Sequence, residues 1–116
     1  MNGTDCVIVC TMLPAGADSA ALARTLVGER LAACVSSLPG VRSLYRWKEE
    51  IVEDDEQQVL IKTTAARVSA LSARIRELHP YTVPELLVLP VAGGGADYIE
   101  WVRASTATGG LGRESG

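Results

Sequence analysis

Four short runs in this chain are apolar at every position: Val7-Ile-Val9, Ala33-Cys-Val35, Val59-Leu-Ile61 and Leu86-Leu-Val-Leu89. Side chains alternate between the two sides of a strand, so such runs present apolar groups to both faces of the sheet they join. A sheet with one face in water would show a polar residue at every second position. Both faces therefore need a cover, and 116 residues, the length of one ordinary domain, must supply it.

Segments of helical period supply part of that cover. Ala23, Leu26, Val27 and Leu31 recur at helical spacing opposite Arg24, Glu29 and Arg30, and Asp18 or Ser19 can cap them, which predicts a first helix ending near Leu31. Val68, Leu71, Ile75 and Leu78 repeat at i, i+3, i+7 and i+10, and Pro80 stops this second helix at about His79. Asp97 can cap a short last helix whose apolar contacts are Tyr98, Trp101 and Val102. Strands are expected at 6–11, at 33–38 before the turn pair Pro39-Gly40, at 41–47, at 57–63 and at 85–91, where Pro90 marks an edge or a bulge. Six of the eight residues from Glu49 to Glu56 are acidic, too many to bury, so a solvated hairpin tip is expected there. Four glycines in the last ten residues predict a flexible tail at 107–116, leaving 1–106 as one domain.

The order is β-α-β-β-α-β with an extra C-terminal helix, an α+β pattern that suggests a ferredoxin-like antiparallel sheet with both main helices on one face. Only the short last helix is left for the other face. A second copy of the same chain is the economical cover, so an oligomer is expected.

The net charge of −3 argues against a nucleic-acid partner, and the longest apolar stretches fall far short of a membrane span. The start Met-Asn-Gly-Thr-Asp has no basic residue before its apolar run, so no secretory signal is expected. Cys6, Cys10 and Cys34 are odd in number with no C-x-x-C pair, which fits free thiols in a reducing compartment. The expected location is cytoplasmic.

Over 41–47 the alternation puts Val41, Ser43, Tyr45 and Trp47 on one side and Arg42, Leu44 and Arg46, with Lys48, on the other, so one face is aromatic and one basic. Tyr45, Trp47, Tyr81 and Trp101 could line a pocket beside Lys62 and Glu85, or serve first as core and subunit-interface residues. Cys34 has apolar neighbours and suits core packing. Arg42, Arg46 and Lys48 could receive an anion, although pairing with the acidic run is the simpler role. His79 and Glu85 could form a general acid and its orienting carboxylate. No Ser, Cys or second carboxylate stands at a catalytic spacing from them, so no enzyme is expected.

The segments Glu29-Arg-Leu-Ala-Ala-Cys-Val35, Pro39-Gly-Val-Arg-Ser-Leu-Tyr-Arg-Trp47, Leu60-Ile-Lys-Thr63, Glu77-Leu-His-Pro-Tyr-Thr-Val-Pro-Glu85 and Asp97-Tyr-Ile-Glu-Trp101 resemble, in unbroken order, the CutA divalent-cation tolerance proteins. The resemblance runs from about Val7 to Thr106. It implies a homotrimer of ferredoxin-like subunits, similar in architecture to PII signalling proteins, and a role in the response to divalent metals, with copper the ion most associated with bacterial members. It also implies Cys10 and His79 as metal-ligand positions, while Leu78 stands where the family's copper site has a second histidine. Thiolate and imidazole suit copper or zinc rather than magnesium or calcium. The alternative for this pair is a small buried thiol and a helix-end imidazole. The expectation is a cytoplasmic trimer that binds copper or a similar divalent ion weakly and needs none to fold. Its rival is a PII-like signalling or scaffold trimer that takes a small anion or a protein partner.

Overall fold

The computed structural model describes residues 3–108. Its elements are β1 (Cys6–Pro14), α1 (Ser19–Gly28), β2 (Cys34–Trp47), β3 (Glu50–Thr64), a 3-10 turn (Ala65–Arg67) leading into α2 (Val68–Leu78), β4 (Leu87–Pro90) and α3 (Ala96–Thr106). The four strands form one sheet in the order β2-β3-β1-β4, every neighbouring pair antiparallel. This is the expected α+β ferredoxin-like arrangement with a third helix. No described helix is long and apolar enough to cross a membrane.

On the helix side, Val7, Val9 and Leu13 of β1 and Val59 and Ile61 of β3 meet Leu22 and Leu26 of α1 and Leu71 and Ile75 of α2. Burying each of the larger of these side chains contributes roughly 1.5–3 kcal/mol, which makes this cluster the main source of cohesion. Asp18 caps α1 by accepting the Ala21 N–H at 3.0 Å. The helix stops at Gly28, earlier than the period predicts, because Arg30 takes a left-handed conformation (φ 61°) and turns the chain back toward the sheet.

The two strands expected at 33–38 and 41–47 are one strand. Leu38 pairs with Gln58 and Val41 with Glu56, three steps on β2 against two on β3, so Pro39-Gly40 forms a β-bulge rather than a turn. Gly40 has φ +78°, the conformation such a bulge requires and glycine accepts without strain. The acidic run is not a hairpin tip either. The turn is only Lys48-Glu49, both at positive φ (51° and 71°), as a two-residue type I′ connection needs, and β3 begins at Glu50. Glu56, far from being solvated, is 5% exposed. The last strand is shorter than expected and lies at the sheet edge, where Pro90 needs no ladder donor.

Alternation and register assign the opposite face to Cys6, Ile8, Cys10 and Met12 of β1 and to Glu56, Gln58, Leu60 and Lys62 of β3. α3 covers one end of it, packing Ile99 and Val102 against Cys6 and Ala33. Tyr98 and Trp101, expected to make apolar contacts, face outward instead, with ring centroids 5.4 Å apart. Asp97 lies in the first turn of α3, where its charge suits the helix dipole, and Gly95 is the capping residue. Beyond α3 the face is open: Leu38, Tyr45, Trp47, Leu87 and Leu89 are all substantially exposed. The tail expected at 107–116 lies, from 109 onward, outside the described residues.

Candidate functional site

β4 pairs with β1 only from Val7 to Cys10, so the edge of β1 is bare at its next residues. There the chain that follows α2 takes over. His79, the C-cap of α2, has extended backbone angles and its ring reaches β1: Nε2 lies 2.6 Å from the Met12 carbonyl, while Nδ1 accepts the Tyr81 N–H at 3.1 Å. A ring that accepts at Nδ1 and faces a carbonyl at Nε2 is the neutral tautomer protonated on Nε2, so Nε2–H donates to Met12. His79 thus replaces a missing strand partner, which explains why it is buried.

Cys10 lies two residues before Met12 on the same strand and is also buried. Burial, and then the nearby Glu85 carboxylate, push its thiol above the ordinary range. Of the two residues that the resemblance marks as metal ligands, Cys10 is thus within β1 and His79 reaches that strand through its ring, at the Met12 carbonyl two residues further on. His79 has both nitrogens engaged and Cys10 is held as a thiol. Among the described residues no three His, Cys, Asp or Glu side chains converge as an ion site.

From this edge a groove of about 870 Å³ runs along the outer half of β2 and β3, with the 80–85 segment as its other wall. Tyr45, Trp47, Tyr81 and Glu85, four of the expected pocket residues, come together here. The Tyr81 hydroxyl donates to Glu56 Oε2 at 2.7 Å, and the Tyr45 hydroxyl donates to Asp54. Burial, then the bond to Glu56, hold Tyr81 well above the ordinary phenol range. Partial burial, then the Glu56 charge, raise the Glu85 carboxyl.

The other expected residues lie elsewhere. Cys34 and Lys62 face each other across β2 and β3, with Nζ 3.9 Å from Sγ and 3.5 Å from Ser36 Oγ. Trp101 is on the outer side of α3, away from the groove. Asp54 and Glu56 were lost in the acidic run, although parity distinguishes them. In a strand they share one side, while Glu53 and Asp55 take the other, where both meet Arg42 at 3.2 and 3.5 Å.

The sequence profile of the CutA1 divalent ion tolerance protein family matches residues 7–105. The divalent-cation tolerance protein CutA of Thermus thermophilus is 46% identical over 99 residues, 85% of this chain and 96% of that one. The protein of the same name from Pectobacterium atrosepticum is 46% identical over 101 residues, 87% of this chain and 92% of that one. Among solved structures, CutA from Xylella fastidiosa superposes with a TM-score of 0.85 at 40% identity, covering 90% of this chain and all of the other. The divalent cation tolerance protein of Thermus thermophilus gives 0.85 at 44%, covering 88% and 99%. With the fold, the five sequence segments and the match over almost the whole chain in agreement, the chain belongs to the CutA1 divalent ion tolerance family.

Proposed function

We propose that the protein works as a cytoplasmic homotrimer in tolerance of divalent cations, taking up soft ions such as copper weakly through Cys10 and His79, without catalysing a reaction. The observation that carries the metal reading is that the His79 ring bonds to the Met12 carbonyl of β1, two residues along the strand from Cys10. Weak binding follows from the same geometry. An ion at Nε2 must displace the Met12 carbonyl, and one at Nδ1 the Tyr81 N–H, while Cys10 must lose a proton that its surroundings retain. The half-open apolar face around Leu38, Leu87 and Leu89 supports assembly, with three copies as the family resemblance implies. The free thiols fit a reducing compartment. A PII-like role for a small anion has less support at the groove, whose lining holds two carboxylates and neither Lys nor Arg.

Sedimentation of untagged protein after chelation should give three chains per particle, because apolar burial rather than an ion drives assembly. A stable monomer overturns the trimer. Calorimetric titration with copper should give weak binding that Cys10→Ser and His79→Ala each reduce further and Cys6→Ser does not. Unchanged binding in both variants overturns the metal assignment.

A further inference from the structure

Lys62 stands without an acid on the sheet face that α1 and α2 leave uncovered. Register places it opposite Cys34 of β2 and Ile8 of β1, half-buried. Its Nζ has a hydroxyl and a thiol for neighbours, Ser36 Oγ at 3.5 Å and Cys34 Sγ at 3.9 Å, and among the described residues it makes no ion pair. A partly buried ammonium is normally matched by a carboxylate. Among the described residues it is also the one Lys or Arg that the strand registers put on this side, since Arg42 meets Glu53 and Asp55 on the other.

The acids of the same face lie at its far end. Asp54 and Glu56 share the parity of Lys62 on β3, and Glu85 faces them from the 80–85 segment across the groove. Six residues of extended strand separate Lys62 from Glu56, about 20 Å, so the two charges of one chain do not meet. Between copies they can. A closed ring joins two unlike patches of one surface, each chain offering one end to its predecessor and the other to its successor. A face with its cation at one end and its carboxylates at the other is complementary to itself in that arrangement.

The groove also has the shape and lining for a lysine. Tyr45, Trp47 and Tyr81 supply rings against which an aliphatic stem packs, and the buried Glu56, already holding the Tyr81 hydroxyl at 2.7 Å, is positioned as an acceptor. We infer that Lys62 of one copy enters the groove of the next, its stem against these rings and its ammonium on the Glu56 carboxylate. The inference rests on the trimer proposed above and names the contact that closes it: the neighbouring copy completes the groove.

The test uses the full, untagged chain, whose lysines are Lys48 and Lys62 alone. Unlabelled and nitrogen-15-labelled chains, refolded together, are treated with a water-soluble carbodiimide, which condenses an amine with a carboxylate in contact and releases water. Peptide mass mapping should find Lys62 joined to a carboxylate of the groove, in pairs of mixed isotope that mark a bridge between copies. A double-mutant cycle reads the contact without chemistry. Lys62→Met, which keeps the stem, and Glu56→Gln, which keeps the shape, should each raise the concentration of half-dissociation by about tenfold or more in sedimentation, with far-ultraviolet dichroism native. The double variant should assemble no more weakly than the worse single one, because each substitution removes the same pair. Additive losses, full assembly in Lys62→Met, or bridges from Lys62 only to acids of its own chain or outside the groove overturn the contact and leave the trimer standing. A parent that sediments as a monomer overturns both.

Discussion

The two faces of the sheet are built from the same strands and differ in almost everything else. On the helix side Val9, Val59, Ile61, Leu26, Leu71 and Ile75 have no exposed surface. A polar group there is either bonded, as Thr63 is to the Leu31 carbonyl at 2.8 Å, or stranded, as Thr11 is, whose hydroxyl has no partner among the described residues. The opposite face mixes thiol, carboxylate, ammonium and aromatic rings and is only partly covered. Cohesion is concentrated on one side and chemistry on the other, and the alternation of side chains along a strand allows one segment to serve both.

Leu26→Ala should remove about 3 kcal/mol of stability, the usual cost of a cavity in a closed core. Leu89→Ser on the open face should cost less, and its loss should grow with protein concentration from near zero in dilute solution to a plateau, because it acts through assembly. Urea unfolding of both at several concentrations checks this. Equal, concentration-independent losses would erase the distinction between the faces.

The two threonines sharpen it within the closed side. Thr11→Val should raise stability by about 1 kcal/mol by removing an unpaired hydroxyl, and Thr63→Val should lower it by about 1 kcal/mol by orphaning the Leu31 carbonyl. Opposite shifts in the urea midpoint are the expected result.

A smaller gain is expected outside both faces. Glu49 occupies the left-handed region at the hairpin turn, so Glu49→Gly should stabilise the chain by about 0.5 kcal/mol, once the extra freedom of glycine in the unfolded chain is set against the relief of strain. Thermal unfolding measures it, and a loss would mean that the Glu49 side chain makes a contact that outweighs its backbone.

The smallest effect belongs to the open face. The Glu85 carboxyl is raised by partial burial and by Glu56, so the folded chain holds that proton more tightly than the unfolded chain does. Its contribution therefore falls as pH rises through the folded pKa and is most favourable in acid. Glu85→Gln should melt slightly higher than the parent at neutral pH, with the gap closing as pH drops below the ordinary carboxylate range. A variant that melts below the parent at neutral pH, with the difference vanishing in acid, would place a cation, not Glu56, beside Glu85.

The closed side was the legible one. Leu71 and Ile75 announce themselves by period, and Val7, Val9, Val59 and Ile61 by composition, because burial depends on local pattern. The site was less legible because its meaning lies in pairings distant in sequence. Pro39-Gly40 reads equally as a turn or a bulge, since both need a residue at positive φ, and only the unbroken partner β3 decides. The acidic run reads as solvated until strand parity separates Asp54 and Glu56 from Glu53 and Asp55. That Tyr45, Trp47 and Tyr81 share a groove follows from residue types and alternation, while Trp101 looked equivalent and is not. Nothing near His79 in sequence indicates that its ring completes the edge of a strand 67 positions away.

The bulge at Gly40 works like a shift of reading frame. Before it, the even-numbered residues of β2 face the groove side; after it, the odd-numbered ones do. Were the same residues paired without the bulge, Tyr45 and Trp47 would turn away and the guanidinium groups of Arg42 and Arg46 would come to the same wall, beside the carboxylates of Asp54 and Glu56. Deleting one residue at the bulge would instead leave Val41 opposite Glu56 and every side chain beyond it on its present side. The extra residue at Pro39-Gly40 thus decides which half of the hairpin's side chains this surface receives, with the helix-side core untouched.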